Sequence, residues 1–135
     1  MQPSRLASAE RLARAAIARH LPGWGFGWLE DSAVGAGKAV GRARREGRGS
    51  WVRQTLGLCD TQDRVIRLSR AYVLRGEPAQ IWETILHEIA HGLAAESGVK
   101  DAHGHGDIWA HFCEVLGIGA HAQAHRALLA RIGAR

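Results

Sequence analysis

The apolar positions of this chain recur with two periods, one typical of helices and one typical of strands. Spacings of three and four residues predict four amphipathic helices, at 4–20, 78–97, 108–116 and 120–132. Short apolar or alternating runs predict three strands, at 24–30, 51–59 and 64–69. A polar turn separates the last two strands, so we expect them to form a hairpin. The pattern predicts an α+β fold in which a small, mostly antiparallel three-stranded sheet packs on the second helix.

The helix predicted at 78–97 carries the pattern His87-Glu88-x-x-His91, the H-E-x-x-H motif of zinc hydrolases. Residues four apart lie about 40° apart around a helix and one turn along it, so both imidazoles can reach one metal ion. Glu88 lies beside them, where its carboxylate can hold and deprotonate a water without being a ligand. In the competing interpretation the histidines only hydrogen-bond in the core. That interpretation would bury Glu88 without a partner, which is costly.

A catalytic zinc site needs a third protein ligand and an open position. The stretch 101–107, rich in His and Gly, follows the motif helix, and His105 within it is our predicted third ligand. Its glycine neighbours allow a tight backbone path back towards that helix. His103 is the main rival as third ligand. His111, inside the next helix, and Glu114, off the apolar stripe of that helix, are weaker alternatives.

Two further histidines and the two cysteines are predicted to have no part in the metal site. His121 and His125 are also spaced four apart, but no Glu follows the first of them and no third partner is evident, so both are predicted at the surface. The two cysteines, Cys59 and Cys113, are too few for a disulfide scaffold or a cysteine-based zinc site. We interpret both cysteines as packing residues.

Length and composition indicate one domain, which we assign to residues 1–135 with a core at about 20–118. Apolar residues make up 46% of the chain, yet no apolar run approaches the ~18 residues of a membrane span. The first ten residues lack the apolar centre of a secretory signal. We therefore expect a cytoplasmic protein without a membrane partner.

The charge of the chain is basic, with 18 Lys and Arg against 13 Asp and Glu and a formal net charge of +5. Five of the positive charges lie in the segment 32–50, which is rich in Gly, Ala and Arg. This segment is either a patch that contacts phosphates or a solvated loop, and its charge permits DNA binding without demanding it. The candidate nucleic-acid contacts are Lys38, Arg42, Arg44, Arg45 and Arg48.

Three motifs in this order resemble those of the SprT-like zinc metallopeptidases, a family that includes the DNA–protein crosslink protease Spartan. The motifs are Arg64-Val-Ile-Arg-Leu-Ser69, Glu83-Thr-Ile-Leu-His87-Glu88-Ile-Ala-His91 and Gly104-His105-Gly106-x-x-Trp109. The resemblance covers roughly residues 20 to 118 and implies a zincin-like fold. It also implies that His87, His91 and His105 bind one zinc ion and that Glu88 is the catalytic base. Many members carry a four-cysteine zinc ribbon at the C-terminus, which the two cysteines of these 135 residues cannot form.

The residues and the resemblance together predict a zinc-dependent metallopeptidase that hydrolyses peptide bonds of protein or peptide substrates, with DNA-associated proteins as one candidate class. The first alternative is a non-catalytic, zinc-containing binding module associated with DNA, which would not need the carboxylate of Glu88. The second is a metallopeptidase that acts on one specific regulator without nucleic acid. In either peptidase hypothesis an edge strand beside the metal would pair with the extended substrate.

Overall fold

The computed structural model describes residues 3–30, 56–100 and 104–133. Within these ranges the chain forms five helices and three strands, and the fold is α+β. In chain order they are α1 (Arg5–His20), β1 (Gly25–Leu29), β2 (Gly57–Asp60), β3 (Val65–Ser69), α2 (Arg70–Arg75), α3 (Pro78–Glu96), α4 (Asp107–Val115) and α5 (Gly119–Gly133). The N-terminal part of the strand predicted at 51–59 lies outside the described residues.

The sheet is mixed, with strand order β1-β3-β2. β2 pairs with β3 in antiparallel fashion, from Gly57 opposite Leu68 to Asp60 opposite Val65, so the predicted hairpin is confirmed. β1 pairs with β3 in parallel fashion, and the expectation of a mostly antiparallel sheet is therefore wrong. Alternation of apolar residues determines the two faces of a strand, but it does not determine which neighbour the strand pairs with.

The core lies between the sheet and α3, and α1 and α4 cover its sides. Ile66 and Leu68 of the central strand are fully buried, as are Ile85 and Ile89 of α3. Burying one such side chain stabilises a fold by about 1.5–3 kcal/mol. α3 contacts α1, β2, β3 and α4, and it is therefore the best supported element of the molecule.

Gly92 shows why α3 can pack closely against the end of α1. A Cβ atom at this position would lie 2.6 Å from Cδ1 of Leu21 and 3.4 Å from the Trp24 ring. Leu21 and Trp24 are both buried. A larger residue at 92 would push the motif helix away from the N-terminal helix.

The four predicted helices begin and end within one residue of their predicted bounds. Ser4 caps α1, because its hydroxyl accepts a hydrogen bond from the backbone N–H of Ala7. Asp107 is the first residue of α4, and Gly106 occupies the cap position. The short helix α2 was not predicted, and the hydroxyl of Ser69 caps it. No helix among the described ranges is long and apolar enough to span a membrane.

Candidate metal centre

Helix α3 presents the first two predicted ligands from one face. The Nε2 atom of His87 lies 3.1 Å from Nε2 of His105, and the Nε2 atom of His91 lies 3.2 Å from the same atom. Ile85 and Ile89 anchor the opposite side of this helix in the core. The two imidazoles thus stand on a rigid base and converge with a third one.

His105 reaches the other two histidines from the turn that precedes α4. Gly104, next to it, has φ +72°, a left-handed conformation that favours glycine. The fully buried indole of Trp109 lies behind the site, with ring centroids 4.8 Å from His87 and 4.6 Å from His105. Its Nε1–H donates to the carbonyl oxygen of His87 at 3.2 Å, which ties α4 to α3.

The donor set fits a bound divalent cation. Two nitrogens bound to one Zn²⁺ at about 2.0–2.1 Å with tetrahedral geometry lie about 3.3–3.4 Å apart, close to the two observed separations. Burial, together with the neighbouring imidazoles, lowers the pKa of His87 to about 2 and the pKa values of His91 and His105 to about 4 each. All three rings are therefore neutral near pH 7 and have lone pairs available for a metal.

A fourth imidazole, His125 of α5, also lies at this cluster. Ligand atoms of His87, His105 and His125 lie within 4.8 Å of one another, so this set too could hold a metal ion. The Nε2 atom of His125 is buried and has no hydrogen-bond partner in the described structure. The two possible triads share His87 and His105, and the third ligand is His91 in one and His125 in the other. The Nε2 atom of His91 lies 3.2 Å from Nε2 of His105, close to the separation of two nitrogens on one zinc ion, which favours His91 as the co-ligand.

The last histidine of the cluster is His121, one turn before His125 on α5. Its Nε2 atom lies 2.9 Å from Nδ1 of His87, and its Nδ1 atom lies 3.4 Å from a carboxylate oxygen of Glu83. The prediction that His121 and His125 are surface residues is therefore wrong. α5 returns to the site because Ile118 and Ala122 are buried, which docks its first turns against the rest of the fold.

One signal in the sequence could have found these two residues, namely that their spacing repeats the spacing of His87 and His91. We discounted this spacing because no Glu follows His121. A missing Glu argues against a catalytic base, but it does not prevent an imidazole from reaching a metal or a ligand. Sequence alone could not show that α5 folds back onto α3.

Glu88 is buried beside the three imidazoles, with 8% of its surface exposed. Desolvation raises the pKa of its carboxyl group to about 8. Strand β2 approaches it closely at Gly57, where a Cβ atom would lie 3.1 Å from Cγ of Glu88 and 3.1 Å from Cγ2 of Thr84. The absence of a side chain at position 57 therefore leaves room for the carboxylate.

A cleft of about 580 Å³ opens over the cluster. β2 and the residue before it form one wall, with Leu58 and Leu56 exposed, and α5 forms the other wall with His121 and His125. β2 is an edge strand among the described strands, so it borders the cleft with one side unpaired. The histidines and Glu88 line the same cleft, which gives a ligand direct access to them.

The remaining predicted residues do not join the cluster. His111 and Glu114 are exposed on α4, and His111 contacts the ring of Phe112. His103 lies outside the described residues. The candidate nucleic-acid contacts lie outside them as well, namely Lys38, Arg42, Arg44, Arg45 and Arg48. Cys113 is buried in the core, as predicted, and Cys59 is partly buried at the cleft.

Comparison with known proteins gives one match. The sequence model of the SprT-like family matches residues 36–128, more than half of the chain. The match begins after β1 and continues into α5, so it includes His121 and His125 as well as the three predicted ligands. No curated protein and no solved structure matches this chain.

Proposed function

The chain belongs to the SprT-like family, and from this premise we propose that it is a zinc-dependent metallopeptidase. One observation carries the proposal. Three neutral imidazoles converge through their Nε2 atoms at 3.1 and 3.2 Å, and a buried carboxylate follows the first of them in sequence. This combination of donors and acid lines an open cleft.

We assign the metal to His87, His91 and His105, one ion per chain. Three imidazole donors favour Zn²⁺ over Mg²⁺ or Ca²⁺, which prefer oxygen ligands. When bound, Zn²⁺ would polarise the peptide carbonyl and stabilise the negative charge that develops on its oxygen. The protein contributes the rigid placement of the rings on α3 and on the turn before α4.

Glu88 is assigned as the general base. Its carboxylate accepts a proton from the attacking water and returns that proton to the leaving amine. Burial alone raises the pKa of Glu88 to about 8, whereas a divalent cation held by the neighbouring imidazoles would lower that pKa. With the cation bound, Glu88 would be ionised and able to accept the proton.

Strand β2 is the candidate binding surface for the substrate. An extended peptide can add to an edge strand through main-chain hydrogen bonds, with little dependence on its side chains. Leu56 and Leu58 are exposed next to the cleft and would contact apolar side chains of such a peptide. Protein or peptide substrates are therefore the proposed class.

The non-catalytic alternative does not account for Glu88. A metal site that only supports a fold has no use for a buried carboxylate outside the ligand set, and burial of that group is costly. A role for DNA rests only on the charge of the segment 32–50. DNA-associated substrates thus remain one proposed class, to be tested by salt-dependent binding to single-stranded DNA.

The decisive experiment compares wild type with Glu88→Gln. Glu88→Gln is expected to keep one Zn²⁺ per chain but to hydrolyse casein about 10²–10⁴-fold more slowly, since it loses the proton acceptor. Zinc content is measured by mass spectrometry of the purified protein, and hydrolysis is measured with and without single-stranded DNA. His111→Ala, on the exposed side of α4, is the control and should match wild type. Equal rates for wild type and Glu88→Gln would refute the assigned base.

A further inference from the structure

His87 is connected to a carboxylate on its own helix through a residue of another helix. Its Nδ1 atom lies 2.9 Å from Nε2 of His121, and Nδ1 of His121 lies 3.4 Å from Oε1 of Glu83. Glu83 and His87 are four residues apart, so they share one face of α3. The imidazole from α5 bridges them.

One arrangement of the ring protons satisfies every contact in this chain of residues. The Nε2 atom of His87 faces Nε2 of His105 at 3.1 Å and must carry a lone pair if it is to bind a cation. The proton of the neutral His87 ring then lies on Nδ1, which donates to Nε2 of His121. The His121 proton therefore lies on its Nδ1 atom and points to the Glu83 carboxylate.

We propose that His121 and Glu83 are positioning residues that hold His87 in its Nδ1–H tautomer, with Nε2 turned towards the metal. This inference rests on the proposed function of the cluster as a metal centre. A partner that accepts the outer N–H of a ligating histidine fixes the ring and raises its basicity, and loss of such a partner typically weakens metal binding by 10–100-fold.

The solvent exposure of His121 and Glu83 determines how much Zn²⁺ affinity their loss should cost. The side chain of His121 is 21% exposed and that of Glu83 is 47% exposed, so water can replace part of each contact. The loss should therefore lie near the lower end of the range, at about tenfold. The ring centroids of His125 and His121 lie 6.2 Å apart in a stacked arrangement, with no hydrogen bond between the two rings. His125 therefore does not belong to this chain of contacts.

The test measures Zn²⁺ affinity of the full chain by competition with a chromophoric chelator. His121→Ala should weaken binding about tenfold, and His121→Gln, whose amide has both an acceptor and a donor, should recover most of the loss. Glu83→Ala should weaken binding less, because its contact is longer and more exposed. The double variant Glu83→Ala/His121→Ala should lose no more than His121→Ala alone, since the two side chains act through one contact.

Nitrogen NMR of the metal-free protein gives a readout that a merely structural role would not change. Wild type should show His87 with its proton on Nδ1, and His121→Ala should show a mixture of the two tautomers. His111→Ala is the matched control and should change neither the affinity nor the tautomer. If His121→Ala does not fold, Glu83→Ala provides the expected loss of affinity, and His121→Gln provides the variant that should bind nearly as wild type.

The outcomes separate this inference from the proposed function. Equal Zn²⁺ affinity and an unchanged His87 tautomer in His121→Ala would overturn the positioning role while the metallopeptidase proposal stands. A wild-type protein that binds no Zn²⁺ would overturn both. Weaker binding in His121→Ala together with recovery in His121→Gln would support the role, whether or not casein is cleaved.

Discussion

Two helices of this protein each carry a pair of histidines four residues apart, and the two pairs are placed differently. His87 and His91 stand on α3, whose other side is buried against the sheet and α1. His121 and His125 stand on α5, in which Ala122 is the one buried residue of the described helix. The same spacing thus occurs on a helix that the core holds firmly and on a helix that is held by one buried residue.

The difference shows what the spacing of four can and cannot do. It lets two imidazoles reach towards one point, but it does not hold the helix that carries them. On α3 the surrounding core supplies that rigidity, and Glu88 adds an acid. On α5 the same spacing supplies neighbours of the candidate metal site: His121 contacts His87 through a hydrogen bond, and the Nε2 atom of His125 is buried without a hydrogen-bond partner among the described residues.

The largest expected effect comes from exchanging one member of each pair for alanine. His91→Ala should weaken Zn²⁺ binding by about 100-fold or more, because structural zinc sites of roughly 10–16 kcal/mol with four protein ligands make each ligand worth about 2.5–4 kcal/mol. His105→Ala should do the same. His125→Ala should cost less than about tenfold, because the metal is assigned to His87, His91 and His105 and His125 is only a neighbour of these ligands.

Chelator competition on the purified variants measures these affinities directly. Comparable losses of Zn²⁺ affinity in His91→Ala and His125→Ala would contradict the distinction between α3 and α5, since both helices would then supply ligands. His103→Ala, which removes the rival third ligand, should bind Zn²⁺ as tightly as wild type. A loss there equal to that in His105→Ala would reopen the choice of third ligand.

The second prediction concerns the wall of the cleft that faces α3. Gly57→Ala places a Cβ atom 3.1 Å from Cγ of Glu88, 3.1 Å from Cγ2 of Thr84 and 3.3 Å from the carbonyl oxygen of Arg67. Overpacking of this kind costs about 1–3 kcal/mol and displaces either β2 or the carboxylate. We expect casein hydrolysis to fall at least about tenfold while Zn²⁺ affinity is retained.

Gly133→Ala is the control for this substitution, because no described residue outside its own helical turn lies within 4 Å of a Cβ atom at that position. Hydrolysis rate, Zn²⁺ affinity and thermal midpoint are compared for both variants. Loss of Zn²⁺ together with activity in Gly57→Ala would mean that the strand supports the ligands and not only Glu88. An unchanged hydrolysis rate would mean that the close approach at Gly57 has no part in placing the base.

The smallest expected effect concerns how α5 is held. Arg126 pairs with Asp107 at 3.0 Å, but the Asp107 side chain is 91% exposed, and exposed ion pairs contribute little. Arg126→Ala should therefore leave Zn²⁺ affinity unchanged and shift the thermal midpoint by less than about 2 °C. A clear loss of Zn²⁺ affinity would instead mean that this ion pair, and not the buried Ala122, docks α5 at the site.

Much of the site could be predicted because its parts are local. The period of 3.6 residues places His87 and His91 on one face, and the glycine-flanked His105 needs only a tight turn before the next helix. The hairpin of β2 and β3 is local as well, since a polar turn joins adjacent strands. Each of these features depends on residues that are close together in the chain.

Apart from the short helix α2, the features that were missed depend on contacts between distant segments. β1 pairs in parallel with β3 because of how the whole sheet assembles, and alternation within β1 contains no information about that choice. His121 reaches His87 across 34 residues of sequence because α5 docks through Ile118 and Ala122. The close approach of Gly57 to Glu88 likewise joins a strand to a helix far along the chain.

The sequence by itself determined the four longer helices, the three strands and which helix carries the H-E-x-x-H motif, since these follow from short-range periodicity and residue chemistry. Only the tertiary structure decided the direction of β1, the wall formed by β2 and the arrival of two further imidazoles at the cluster. The physical reason is the same in each case. Local patterns specify the faces of an element, whereas the packing of distant faces against one another decides what those faces meet.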